Sequence, residues 1–149
     1  TPEIGSLLER RGFRYQLRSE LGRGKTKRTE SVVIMNTFGE LFKLYSVATI
    51  VFCGASLVPL GGQNPLEAAV WGKAIFYGPS MEDFLDAKAL LEEVGAGIPV
   101  SSPEMLAEKA IWFLRHPDAL KTCGTRAREA VIRNQNAAAK HARVIAGLV

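Results

Sequence analysis

Apolar positions along this chain switch repeatedly between the period of a helix and that of a strand. In Glu3–Arg11 the residues Ile4, Leu7 and Leu8 share one side of a helix, and Gly12 stops it. Phe13–Leu17 alternates, which predicts a strand with Phe13, Tyr15 and Leu17 on one face. Ser19–Glu30 is a polar, basic loop, followed by a short apolar strand at Ser31–Met35. Gly39–Val47 predicts a short helix with Leu41, Leu44 and Tyr45 inward. Thr49–Cys53 is an unbroken apolar and β-branched run, the pattern of a strand covered on both faces. A glycine-rich loop, Gly54–Gln63, leads into a helix over Asn64–Trp71 that Gly72 ends, then a strand at Lys73–Tyr77. Met81–Val94 predicts a longer helix with Phe84, Ala87, Leu90 and Leu91 at helical spacing, and Gly97–Val100 a short strand. Ser102 caps a helix running from Pro103 to Arg115, and His116-Pro117 breaks it. Two further helices are expected over Asp118–Leu148, and Trp71 and Trp112 are expected to face the core.

Strands alternating with helices at this spacing predict an α/β fold with an open parallel sheet. At 149 residues the chain suits a single domain over 1–149, and an apolar fraction of 47% is enough for a packed core. The longest apolar run, Val47–Leu60, is interrupted by Cys53, Gly54, Ser56 and Pro59, and falls short of a bilayer span. Cys53 and Cys123 have no CxxC spacing, and Cys53 reads as a small buried hydrophobe in a reducing compartment. The net charge is +4, unevenly spread. Arg10, Arg11, Arg14, Arg18, Arg23, Lys25, Lys27 and Arg28 make the first thirty residues basic. That stretch is a solvated face, or a surface attracted to phosphates or anionic lipid headgroups. Nucleic acid is disfavoured because stacking aromatics do not interleave with the charges beyond Phe13 and Tyr15.

In open α/β sheets, ligands bind outside the carboxyl ends of the strands. The loop after Thr49–Cys53 takes that place and holds Gly54, Gly61 and Gly62 before the helix start at Asn64-Pro65. Glycines let backbone approach a ligand, and free N–H groups at a helix start favour an anion, so the loop is a candidate phosphate cradle. Ser56 is either an ordinary loop hydroxyl or a donor to a phosphate oxygen. Asn64-Pro65-Leu66-Glu67 has the form of an N-cap with an acid at the third position, so Glu67 reads first as part of a capping box and second as an acceptor for a ribose diol. His116 and His141 read as structural or exposed, and no nucleophile–base arrangement or metal-ligand cluster can be assembled.

Asn36-Thr-Phe-Gly-Glu-Leu41, Leu44-Tyr45, Gly54-Ala-Ser-Leu-Val-Pro-Leu-Gly-Gly-Gln-Asn-Pro-Leu-Glu67, Trp71-Gly72-Lys73 and Gly78-Pro79, in this order and spacing, resemble the Kdo (3-deoxy-D-manno-octulosonate) transferases of lipopolysaccharide synthesis. The resemblance is strongest over Thr37–Val100, and Thr1-Pro2-Glu3 resembles the end of a His-Pro-Glu element. It implies the C-terminal, donor-nucleotide-binding half of a GT-B glycosyltransferase, a Rossmann-like open parallel sheet with flanking helices. The implied reaction moves Kdo from CMP-Kdo to a lipid A precursor at the cytoplasmic face of the bacterial inner membrane, with no cofactor and no metal. By the same resemblance Gly54, Ser56, Gly61, Gly62, Gln63 and Asn64 surround the CMP phosphate, Glu67 holds the ribose hydroxyls, and Asn36, Thr37, Gly39 and Glu40 border the cytosine. The sequence departs from the family pattern at Asn36, where Asp is usual, at Gln63, where His is frequent, and at Ala55, where a third glycine is common.

The acceptor domain, with its membrane anchor and general base, is expected to be missing, as are the first strand and helix of the donor domain. With CMP-Kdo as donor, the chain is therefore expected to bind CMP weakly without turnover, and to self-associate or repack its N-terminal helix across the exposed edge. A non-catalytic α/β interaction module and another GT-B nucleotide-sugar enzyme, such as an epimerase, are the alternatives.

Overall fold

A computed structural model describes residues 2–22 and 26–134. Arg23, Lys25, His141 and the second of the helices expected beyond His116-Pro117 lie outside the described residues. The chain divides into two compact units, Thr1–Lys43 and Leu44–Val149.

In the first unit, α1 (Pro2–Arg10) is amphipathic, and its buried Gly5 leaves room for the Tyr15 hydroxyl, which a Cβ would strike. Gly12 ends the helix at φ 75°, a left-handed conformation that favours glycine. β1 (Tyr15–Leu17) pairs in parallel with β2 (Val32–Ile34), Tyr15 opposite Val32 and Leu17 opposite Ile34. Phe13 lies outside the strand and is exposed, so the expected strand is shorter than its alternation suggested. The connecting loop is held by Gln16, whose Oε1 accepts from the N–H groups of Thr29 (2.8 Å) and Glu30 (3.0 Å) and whose Nε2 donates to Lys27 O (3.2 Å).

α2 (Leu41–Leu44) is a single turn, continued by a tighter turn at Tyr45–Val47. Leu44 and Tyr45 are half-buried, but Leu41 is exposed, contrary to the inward position expected for it. The helical period fixes a buried side only when several turns pack together, and one turn does not.

The second unit is built on β3 (Ile50–Phe52), β4 (Ala74–Tyr77) and β5 (Gly97–Pro99), all parallel, in the order β3-β4-β5. Ile50 and Phe52 face Ala74 and Phe76 in register, and Ile75 and Tyr77 face Gly97 and Pro99. β4 is central and every residue of it is buried, so helices cover both sheet faces there. β3 is only half-buried and Phe52 is exposed, so the strand covered on both faces is β4, not β3. Apolar composition alone did not separate a central strand from its neighbour.

The helices α3 (Leu66–Ala69), α4 (Leu85–Glu93), α5 (Pro103–Arg115) and α6 (Pro117–Asn134) flank the sheet. Ile75, Phe76, Tyr77, Met81, Leu91, Cys123 and Ala127 form the centre of the core. Two glycines permit close approach: a Cβ on Gly97 would strike the Tyr77 hydroxyl, and one on Gly124 the carbonyl of Gly72. α3 is shorter than the expected Asn64–Trp71, and Gly72 ends its trailing turn at φ 67°. The expected Met81–Val94 helix is split, because Phe84 at φ −137° and ψ 35° leaves the α path between a turn at Glu82–Phe84 and α4.

α5 has the expected bounds, and the Ser102 hydroxyl accepts the Met105 N–H at 3.1 Å as its cap. Its inner stripe is Leu106, Ala110 and Phe113, and Phe113 meets Phe76 edge-on at 5.7 Å. Trp112 falls one position off that stripe, so it is half-exposed and stacks on His116 at 4.3 Å. Trp71 is likewise 39% exposed, so neither tryptophan is the core residue expected. No helix of the described residues is long and apolar enough to cross a membrane.

Candidate functional site

The loop from Gly54 to Asn64 leaves the carboxyl end of β3, next to the Gly78–Met81 turn that leaves the carboxyl end of β4. The two segments are fastened together. The Ser56 hydroxyl donates to Cys53 O (2.6 Å) and accepts from the Gly78 N–H (2.8 Å), while Ser56 O accepts from the Ser80 N–H (3.0 Å). Ser56 is fully buried, so its hydroxyl is spent inside the loop and is not presented to a phosphate, as the family likeness had implied. Ala55 adopts φ 61°, the left-handed region that a third glycine would occupy without strain. The Cys53 thiol beneath the loop is pushed up to about 11 by burial and stays neutral.

Gly61 and Gly62 both have left-handed backbones, at φ 78° and 79°. Gly61 donates its N–H to Ser80 Oγ (3.0 Å), and the Asp83 carboxylate lies over it where a side chain would be. Gly62 is buried against Met81 Sδ and Ser80 O. Ser80 in turn donates to Glu82 Oε2 (2.7 Å), and this hydrogen bond holds the Glu82 carboxyl below its ordinary range. Among the described residues, the N–H groups of Gly62, Gln63 and Asn64 have no protein acceptor. Gln63 is exposed. Gly54 has neither a left-handed φ nor a close neighbour that would demand glycine.

Asn64 Oδ1 accepts the Leu66 N–H at 3.0 Å, so Asn64 caps the short α3 by itself. Glu67 is exposed and does not reach back to complete a capping box. Its carboxylate takes part in no hydrogen bond or ion pair among the described residues. It is close enough to Tyr45 that its charge, after burial, helps push the Tyr45 phenol up.

Of the other residues, Asn36, Thr37, Gly39 and Glu40 belong to the first unit and close a turn there. Asn36 and Ser19 bond reciprocally, Nδ2 donating to Ser19 Oγ (2.8 Å) and Oδ1 accepting the Ser19 N–H (3.0 Å). Thr37 donates to the Glu40 carboxylate, which also pairs with Arg18 Nη2 at 2.6 Å. The Thr37 hydrogen bond first, and the Arg18 guanidinium after it, keep the Glu40 carboxyl below its ordinary range. These side chains thus fix the turn, leaving Gly39 at φ 79° and the Phe38 ring wholly exposed at its tip. The sequence offered no signal for Phe38, Ser80 or Glu82, and Asp83 read there as an acid near a helix start. Phe38 stood inside a quoted motif, and Ser80 directly follows Gly78-Pro79.

No protein-family model matches the chain. A 3-deoxy-D-manno-octulosonic acid transferase of Aquifex aeolicus is 38% identical over 78 residues, 52% of this chain and 22% of that protein. Another, of Haemophilus influenzae, is 28% identical over 137 residues, 90% of this chain and 31% of that protein. The chain thus spans well under half the length of these curated relatives. Among solved structures, the C-terminal CMP-Kdo binding domain of WaaA from Acinetobacter baumannii matches with a TM-score of 0.78 and 21% identity, over 87% of this chain and 67% of that one. The chain is similar in sequence to the 3-deoxy-D-manno-octulosonic acid transferases and has the α/β fold of the WaaA C-terminal domain.

Proposed function

We propose that this chain is the donor-binding domain of a glycosyltransferase that moves Kdo from CMP-Kdo, and that the Gly61–Asn64 segment receives the phosphate of CMP. The observation that carries this reading is the segment itself. Two left-handed glycines turn the backbone at the carboxyl end of a parallel sheet, and the next N–H groups have no protein acceptor among the described residues. Such backbone groups suit an anion. Asp83 covers Gly61, so the anion is assigned to the Gly62–Asn64 side, away from that carboxylate. Glu67 has unused acceptor sites and takes the ribose hydroxyls.

In the proposed reaction the acceptor hydroxyl displaces CMP in one step with inversion, and the loop stabilises the departing phosphate. The general base, the lipid A precursor site and the attachment to the cytoplasmic face of the inner membrane are assigned to another domain. These residues alone are expected to bind without turnover. Calorimetric titration with CMP and UMP tests the reading. Preference for CMP, weakened about tenfold by Glu67→Ala as loss of a charged hydrogen bond requires, supports it. Preference for UMP points to a different nucleotide-sugar enzyme, and no binding of either points to a non-catalytic module.

A further inference from the structure

The ligand-receiving segment does not hold its own shape. Gly61–Asn64 contains no regular hydrogen-bonded structure, and glycines in sequence give a chain with many accessible conformations. Among the described residues, the one backbone donor of the segment that meets a side chain is the Gly61 N–H, at 3.0 Å from Ser80 Oγ, and the Gly61 carbonyl accepts from the Asp83 N–H at 3.4 Å. Ser80 is nearly buried, and its main chain is pinned by the bond from its N–H to Ser56 O. A hydroxyl has one proton, and Ser80 spends it on Glu82 Oε2 at 2.7 Å. Its lone pairs are thereby turned toward Gly61. Glu82 itself is exposed at the start of the turn that leads into α4.

From this geometry we infer that Ser80 is a positioning residue. Oriented by Glu82, it fixes the Gly61 amide and so presets the Gly62–Asn64 N–H groups for a phosphate without touching the ligand. The inference rests on the donor-site reading above for its ligand, but the preset segment is a property of the free protein. Gly62 strengthens it, because a Cβ there would strike Met81 Sδ and press on Ser80 O, so the segment lies close against the Ser80–Met81 backbone. Mispositioning of a preorganised donor array weakens binding by adding an ordering cost at association.

The test has a ligand-free arm and a ligand arm. In the first, amide hydrogen exchange is followed in the wild type, Ser80→Ala, Ser80→Thr and Glu82→Ala. Ser80→Ala is expected to speed exchange at Gly61 about tenfold, the size of one lost hydrogen bond, with Ile75–Tyr77 unchanged. Glu82→Ala, at an exposed position that does not threaten folding, is expected to act in the same direction and less strongly, and Ser80→Thr to restore protection. In the second arm, CMP dissociation constants are measured by titration. Ser80→Ala is expected to bind about tenfold more weakly and Ser80→Thr near the wild-type value. Unchanged Gly61 exchange in both Ser80→Ala and Glu82→Ala overturns the inference, as does unchanged CMP affinity in Ser80→Ala. Absence of CMP binding by the wild type overturns the donor-site reading instead, and the exchange arm, which needs no ligand, keeps the two failures apart.

Discussion

Gly78→Ala sets local preference against packing in a way that has a definite sign. Gly78 is not in the left-handed region and precedes Pro79, so its backbone is one that alanine adopts freely. At such a position alanine ordinarily stabilises by about 0.4–1 kcal/mol, by restricting the unfolded chain. Here the new Cβ would lie within 3.0 Å of Ser56 O, Ser56 C and Leu57 N, all of them backbone. Ser56 has no freedom to retreat, because its hydroxyl is held by Cys53 O and by Gly78 itself. Relieving the clash strains or opens the bonds Gly78 N–Ser56 Oγ and Ser80 N–Ser56 O, each worth about 1 kcal/mol net. The overpacking itself costs about 1–3 kcal/mol. The expected outcome is a loss of about 2–4 kcal/mol.

Urea unfolding followed by tryptophan fluorescence reads this directly, since Trp71 and Trp112 both lie in the second unit. With a slope of about 1–3 kcal/mol per molar, the midpoint should fall by about 1–2 M. Gly54→Ala, with nothing within 4 Å of the new atom, is the internal control and should leave the midpoint nearly unmoved. If Gly78→Ala matches that control, the close seating of the two loops is not a constraint and the reasoning from it fails.

Gly124→Ala lies within α6, where helix propensity favours alanine by about 1 kcal/mol, yet the new Cβ meets the Gly72 carbonyl. A net loss of about 1–3 kcal/mol is expected in the same unfolding assay. Burial raises both cysteine thiols, Cys53 to about 11, so at pH 8 a thiol reagent should label the native protein slowly and the urea-unfolded protein at both positions promptly. Glu40 is depressed, so its pairing stabilises the first unit above the ordinary carboxylate pKa near 4.5 and is lost as pH falls through the lower folded value. Carboxyl carbon NMR should show that titration moving up toward 4.5 in Thr37→Ala, and an unmoved value would remove the Thr37 bond as its main cause.

The sequence was most legible where local chemistry and tertiary packing agree. Ser102, Pro103 and the apolar spacing behind them mark α5 from end to end, because a cap and a proline act within one turn. Ala55 was also visible as a departure, standing where a third glycine is common, and the backbone there is left-handed. Failures came where a decision depends on neighbours distant in sequence. Thr49–Cys53 and Lys73–Tyr77 look alike as apolar runs, and only the β3-β4-β5 order makes β4 the central strand. Trp112 is large and apolar, but its phase on α5 sets it beside His116 and off the inner stripe.

The candidate loop was found by its glycines, and the roles within it were mixed. The family resemblance set Ser56 beside the phosphate, whereas its hydroxyl donates to Cys53 O and accepts from the Gly78 N–H, and its carbonyl accepts from the Ser80 N–H. Ser80 itself carries no motif. Glu82 is its neighbour in sequence, but Gly61 is joined to it by folding, and a reading along the chain has no access to that juxtaposition.

Whether backbone amides after Gly61 take the phosphate of CMP is settled most directly by an amide-resolved NMR titration of the protein with CMP. The largest saturable shifts are expected on Gly62, Gln63 and Asn64, with smaller ones at Glu67. Saturable binding that leaves those amides still and moves others would contradict this assignment.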